Sequence, residues 1–183
     1  QNLTLLTTLK MDNNALVAIP DEIQALKAMI TLELSKNQIK AIPNGITRLP
    51  RLKLLYLSNN KIQGSIPKDF VNNTALVGIY LSFNELSGTI PLELGNMPSL
   101  KTLTVDNNQL TGTVPESLAA KLSGFNFHEN KLEGSIPYFT KSDLRSFSFY
   151  GNKFVFSDFE NNHVSYKNRA RNNYRYAPQA KVD

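Results

Sequence analysis

Apolar and polar residues alternate along this chain in a short pattern that returns every 22 to 24 residues. The pattern reads apolar-x-apolar-x-x-Asn-x-apolar and occurs at residues 9–16, 32–39, 55–62, 79–86, 103–110, 125–132 and 147–154. Alternation of this kind predicts a short β-strand with one buried face. A steady period of this length predicts a solenoid, because each unit buries its apolar face only against its neighbours.

Successive strands are expected to lie side by side in a parallel sheet. The remainder of each repeat supplies the long return path that parallel pairing needs. We predict seven strands, centred near Met11, Leu34, Leu57, Leu81, Val105, Phe127 and Phe149.

One asparagine stands at the same offset in every repeat, where the chain turns inward after the strand. A buried amide needs hydrogen-bond partners, and the backbone of adjacent turns can supply them. Asparagine also favours turns for its own sake, but the constant offset favours a ladder in which Asn60 and Asn84 are nearly inaccessible. The predicted ladder consists of Asn14, Asn37, Asn60, Asn84, Asn108, Asn130 and Asn152.

Over about residues 3–156 the pattern resembles the leucine-rich-repeat family. Four repeats resemble its plant-type variant, with Gly-x-Ile/Val-Pro at residues 64–67, 88–91, 112–115 and 134–137; the first two repeats lack the glycine. The resemblance implies an α/β solenoid, a right-handed superhelix with a concave parallel sheet of about seven strands. It also implies an extra short strand at each Gly-x-Ile-Pro segment and a mostly extended or 3-10 convex side.

The two ends of the chain differ from the repeats. Near the C-terminal end phenylalanine replaces leucine. Such an aromatic cluster could be a ligand site, but we interpret it as core that closes the end of the stack. It consists of Phe125, Phe127, Phe147, Phe149, Phe154, Phe156 and Phe159. We expect a repeat array at 1–156, its first repeat incomplete. Residues 157–183 should form a C-terminal cap with a basic loop and a possible last strand at 174–179, leading to a further domain.

Cysteine is absent, so the paired-cysteine caps of plant ectodomains are missing. Cysteine-free arrays of this mixture resemble exported or surface proteins of Bacteroidetes-type bacteria, which implies a secreted or cell-surface location. No apolar run is long enough for a membrane helix, so direct membrane insertion is not expected.

Charge argues against a nucleic-acid partner. The net charge of +5 is concentrated in residues 161–183, which hold five Lys/Arg and one Asp, whereas residues 1–160 hold 15 Lys/Arg and 14 Asp/Glu. Nucleic-acid binding needs many phosphate contacts, which a nearly neutral body does not offer. The spacing of His, Asp and Glu fits no metal or cofactor motif, and we expect no cofactor and a monomer.

The polar strand positions should form columns across the concave face at about 4.8 Å per strand. Tyr56 and Tyr80 are neighbours in one column, and Phe83 lies close by. Exposed aromatic side chains on a rigid sheet can anchor a protein or a glycan, although they can equally stack on one another and support pairing. A second candidate group lies further along the face and consists of Asp106, His128, Glu129 and Tyr150.

An enzyme is not expected. Ser82, Asp106 and His128 follow one another in one column, which places the acid in the middle, whereas a catalytic triad needs the base there. The sequence therefore predicts a non-catalytic recognition module that binds a protein or glycan on its concave face. The alternative is a structural spacer within a larger surface protein.

Overall fold

The computed structural model describes residues 3–139 and 146–155, and its main element is a parallel sheet of seven three-residue strands. These strands are β1 (Thr8–Lys10), β2 (Thr31–Glu33), β3 (Leu54–Tyr56), β5 (Gly78–Tyr80), β7 (Thr102–Thr104), β9 (Gly124–Asn126) and β11 (Ser146–Ser148). They follow one another in chain order, in a register that pairs equivalent positions of successive repeats. The predicted leucine-rich-repeat fold is confirmed.

The strands are centred two residues earlier than predicted. Each strand is followed by a residue in the left-handed region, such as Lys36 at φ 56° and Phe83 at φ 56°, with Gly151 at φ 65° in the last turn. A regular strand cannot run into that conformation, so the chain turns inward there. Backbone bonds to the next repeat nevertheless continue past the strand, as from the Lys36 N–H to the Ser58 carbonyl oxygen.

Within the described residues, the convex side carries five 3-10 helices, as the resemblance implied. Each begins directly after a proline in an extended conformation, whose carbonyl oxygen accepts the first hydrogen bond of the turn, as from the Ile23 N–H to Pro20. The helices are η1 (Asp21–Ala25), η2 (Asn44–Arg48), η3 (Lys68–Asn72), η4 (Leu92–Asn96) and η5 (Glu116–Leu118).

Extra short strands lie between the concave sheet and the helices. They form two parallel pairs, β4 (Gln63–Gly64) with β6 (Glu85–Leu86) and β8 (Thr111–Gly112) with β10 (Lys131–Leu132). They lie at or before the repeat glycine, and not across the whole Gly-x-Ile-Pro segment as expected. The glycines have φ of 73° to 80°, which takes the chain out of the extended conformation.

One continuous core fills the solenoid from Ile19 to Phe154. At its C-terminal end Phe125 stacks on Phe139 with ring centroids 4.1 Å apart, and Phe154 meets Phe149 edge-on at 5.9 Å. These aromatic side chains are core, as interpreted from the sequence. Phe156, Phe159 and the predicted cap at 157–183 lie outside the described residues.

Candidate functional site on the concave face

A hydrogen-bonded asparagine ladder holds the turns beside the concave sheet. The Asn60 Oδ1 accepts a bond of 3.0 Å from the Ile39 N–H in the preceding turn. Its Nδ2 donates to the carbonyl oxygens of Leu34 in that turn and Leu57 in its own, both at 3.0 Å. The same three contacts recur at Asn37, Asn84, Asn108, Asn130 and Asn152.

The burial of the ladder varies along the array. Asn60 and Asn84 are half-buried and not nearly inaccessible as predicted, whereas Asn37, Asn130 and Asn152 at the same offset are buried. Asn14 is exposed, and among the described residues its amide donates within its own turn, to the carbonyl oxygens of Met11 and Asp12. The repeated bonds make the concave sheet a fixed platform for the side chains that project from it.

Tyr56 and Tyr80 pack against each other on this platform. Their ring centroids lie 4.4 Å apart with an angle of 10° between the planes, and both side chains are half-buried. Gly78 makes room for Tyr80, since a Cβ at Gly78 would come within 2.8 Å of Tyr80 Cε2. Burial, with a smaller contribution from Tyr80, raises the pKa of the Tyr56 phenol above its ordinary value.

Phe83 behaves differently from the two tyrosines. Its side chain is 51% exposed, although its backbone is left-handed, a conformation that bulky residues rarely adopt. The equivalent positions in the neighbouring turns are Asn59 and Asn107, which tolerate that conformation better. We expected three exposed aromatic side chains, but of the three only Phe83 is exposed, because the tyrosines shield each other. We call Tyr56, Tyr80 and Phe83 the aromatic patch.

Asp106 lies beneath the surface of the second candidate group. It is 4% exposed. Its Oδ1 accepts from the Ser82 hydroxyl at 2.5 Å, and its Oδ2 accepts from Asn107 Nδ2 at 3.1 Å and lies 3.5 Å from His128 Nε2. Asp106 is therefore too deeply buried to contact a partner, and it holds its neighbours in place instead.

His128 and Tyr150 come together as the column order predicted. Their rings stack with centroids 4.4 Å apart and an angle of 18° between the planes. Glu129 is exposed in a left-handed turn, and its carboxylate lies over Gly151, where a Cβ would come within 2.6 Å of the Glu129 Cδ. This carboxylate thus packs on the next turn.

Sequence reasoning missed Ser148. Its Oγ lies 2.5 Å from His128 Nδ1 and 3.4 Å from Asn126 Oδ1. We considered only residues in the same column as His128, whereas Ser148 belongs to the adjacent column on the next strand. Such diagonal neighbours are within reach of a long side chain, and that rule could have found it. We call Asp106, His128 and Ser148 the polar relay.

Two other classes of site have no candidate among residues 3–139 and 146–155. No group of three or more His, Cys, Asp or Glu side chains in these ranges could hold a metal ion. Nor do these ranges contain a helix with the length and apolar character needed to cross a membrane.

Comparison with known proteins identifies related repeats. The sequence matches the family described as leucine-rich repeat region over residues 1–136. No curated protein matches it. Among solved structures, a plant ice-binding protein is 33% identical over 81% of this chain and 50% of its own, with a TM-score of 0.72.

Plant receptors are similar to a comparable degree. The plant peptide hormone receptor RGFR1 in complex with RGF2 is 35% identical over 78% of this chain and 24% of its own, with a TM-score of 0.72. The Arabidopsis receptor kinase HAESA, in complex with the peptide hormone IDA and the co-receptor SERK1, is 30% identical over 81% of this chain and 26% of its own, with a TM-score of 0.71. The chain spans half or less of the length of each of these three proteins.

Proposed function

The chain belongs to the leucine-rich-repeat family, and we propose that it is a recognition module whose concave face binds a partner through the aromatic patch. A protein or peptide is the favoured partner, because similar repeats in plant receptors are seen in complex with peptide hormones. A glycan is the other partner that exposed aromatic side chains on a rigid sheet can anchor.

The observation that carries this proposal is the conformation of Phe83. A residue held in a sparsely populated backbone region costs about 1–3 kcal/mol and persists where the surroundings or the function require it. Asparagine at the equivalent positions of the neighbouring turns avoids much of that cost. Exposing a phenylalanine there adds no core packing, so its presence is best explained by contact with a partner.

The proposed setting is outside the cell. The neighbouring structures include ectodomains of plant receptor kinases, and the cysteine-free repeat pattern supports a secreted or surface protein of bacterial type. We further propose that the array at 1–156 acts as a monomer, with residues 157–183 as its C-terminal cap.

The experiment compares partner capture by the wild-type chain and by Phe83→Asn. An anchor of this kind contributes about 1–3 kcal/mol to binding, so capture from host and bacterial extracts should fall sharply. Lys36→Asn is the matched control, since Lys36 has the same left-handed conformation two turns away and should leave capture unchanged. Equal capture by both variants would favour the structural spacer.

A second candidate function is ice binding. The side chains of Ser65, Thr89, Thr113 and Ser135 are all exposed and occupy equivalent positions in consecutive repeats. The threonine methyl groups pack against the glycine of the next turn. A Cβ at Gly112 would come within 3.0 Å of the Thr89 methyl carbon, and a Cβ at Gly134 within 2.9 Å of that of Thr113. A regular row of methyl and hydroxyl groups suits an ordered water lattice, and one similar structure is an ice-binding protein.

Ice binding is tested by the growth of ice in the presence of the protein. Thr89→Lys and Thr113→Lys interrupt the row and should abolish inhibition of ice recrystallisation, whereas Phe83→Asn should not affect it. If the wild-type chain does not inhibit recrystallisation, this second function is excluded.

A further inference from the structure

The polar relay has an order of groups that the recognition function does not require. His128 stands between a carboxylate and a hydroxyl: Asp106 Oδ2 lies 3.5 Å from Nε2, and Ser148 Oγ lies 2.5 Å from Nδ1. This is the sequence of acid, base and nucleophile on which serine-dependent acyl transfer relies. Ser82 cannot take part in such a triad, because it lies on the far side of the acid. With Ser148 as the nucleophile, the base His128 lies in the middle, as a triad requires.

The contacts of Ser148 indicate which atom can accept its proton. The Ser148 hydroxyl has a single proton, and the 2.5 Å contact with His128 Nδ1 is far shorter than the 3.4 Å contact with Asn126 Oδ1. When the imidazole is neutral and Nε2 carries its proton towards Asp106, Nδ1 accepts the serine proton. In that tautomer the ring can act as the base for Ser148, and the carboxylate of Asp106, 3.5 Å from Nε2, favours a proton on that nitrogen electrostatically.

The surroundings fix the ring and leave the serine accessible. Asp106 is buried and is held by Ser82 and Asn107, and the imidazole stacks on Tyr150. The Ser148 side chain is half-buried, on the concave face. A rigid base next to an accessible hydroxyl is what an activated nucleophile requires.

We propose that Ser148 is a nucleophile activated by His128 and that the chain hydrolyses small activated acyl esters. Ser148 Oγ attacks the ester carbonyl while its proton passes to His128 Nδ1. The carbon–oxygen bond to the alcohol then breaks, and the leaving oxygen takes that proton. Water attacks the acyl-Ser148 ester, gives a proton to His128 and releases the acid, and that proton returns to Ser148 Oγ.

A fluorophosphonate probe tests the nucleophile directly. Ser148 Oγ should displace fluoride and form one phosphonyl ester per chain, detected by intact mass and located by peptide mapping. Ser82 is the internal control, because it donates to a carboxylate and has no imidazole partner among the described contacts. Labelling at Ser148 that is lost in Ser148→Ala supports the proposal; an unlabelled wild-type chain, or equal labelling of Ser82, overturns it.

Turnover of p-nitrophenyl acetate tests the complete reaction. Ser148→Ala and His128→Asn should each lower the rate at least about tenfold, in line with general base catalysis, while circular dichroism shows the wild-type fold. Asp106 acts through His128 as a positioning residue, so Asp106→Asn should lower kcat and leave KM unchanged. A Ser148→Ala rate equal to that of the wild type would overturn the proposal. Partner capture through Phe83 is measured separately, so either function can fail without the other.

Discussion

The aromatic patch and the polar relay occupy the same sheet but are held in different ways. The tyrosines of the patch contact each other through ring faces, and Phe83 projects into solvent. In the relay, hydrogen bonds join Ser82 to Asp106 and His128 to Ser148, and Asp106 Oδ2 lies 3.5 Å from His128 Nε2. The strand register places side chains at equal intervals in both regions. The comparison shows that a uniform backbone can display an aromatic group held by ring contacts on the same sheet as a polar group held by hydrogen bonds.

The largest expected effect comes from breaking the relay at its buried carboxylate. Asp106→Ala removes the acceptor of the hydrogen bonds from Ser82 and Asn107 and the carboxylate that lies 3.5 Å from His128 Nε2, and hydrogen bonds to charged groups contribute about 1.5–3 kcal/mol each. We expect the free energy of unfolding to fall by about 2–3 kcal/mol in urea denaturation. Asp12→Ala is the matched control in the same column, because Asp12 accepts one bond, from the Ser35 N–H. Equal losses in the two variants would show that the relay is no more tightly held than the sheet edge.

Removing an asparagine of the ladder beneath the aromatic patch should lower the free energy of unfolding somewhat less. Asn84→Ala leaves backbone groups of two turns without the partners they now have, and we expect a loss of about 1–3 kcal/mol. Asn14→Ala should cost much less, since Asn14 is exposed and its described hydrogen bonds lie within its own turn. The melting temperatures of the two variants measure this difference, and an unchanged Asn84→Ala melt would contradict the ladder.

Phe83→Asn should stabilise the chain while it weakens binding. Relief of the left-handed strain is expected to raise the free energy of unfolding by about 1 kcal/mol, or the melting temperature by about 2–4 °C for a chain of this size. Differential scanning calorimetry against the wild type checks the sign. A lower melting temperature would mean that Phe83 stabilises the fold through packing and is not an exposed anchor.

The smallest effect concerns pH. Burial raises the pKa of the Tyr56 phenol above its value in the unfolded chain, so this tyrosine contributes stability below that value and loses it as the pH rises through the folded pKa. Stability should therefore decline at alkaline pH, above about 10, and Tyr56→Phe should lessen the decline. Thermal melts between pH 8 and 11 measure it, and identical curves for the two proteins would show that the stack does not perturb the phenol.

The sequence predicted the sheet and the core well, because the apolar period alone determines which face of each strand is buried. Strand centres were wrong by two residues, since a pattern of apolar positions does not show where the backbone turns left-handed. The burial of Asp106 and the backbone strain at Phe83 both depend on these left-handed turns, so neither could be predicted from the apolar pattern. Ser148 was missed because it lies in a different column and in a different repeat from His128. Whether two such residues meet depends on the direction in which the side chains point, which the repeat pattern does not show.

The asparagine ladder also has a direction, which bears on how such a chain can lengthen. In six turns the amide reaches back to the preceding turn, and Asn60 bonds to the backbone of Leu34 and Ile39 in this way. Each repeat thus contains the asparagine that bonds it to the preceding repeat. A duplicated segment of 22 to 24 residues would arrive with its own asparagine and with acceptors for the next. Gene duplication could therefore extend the array without redesign at the junction.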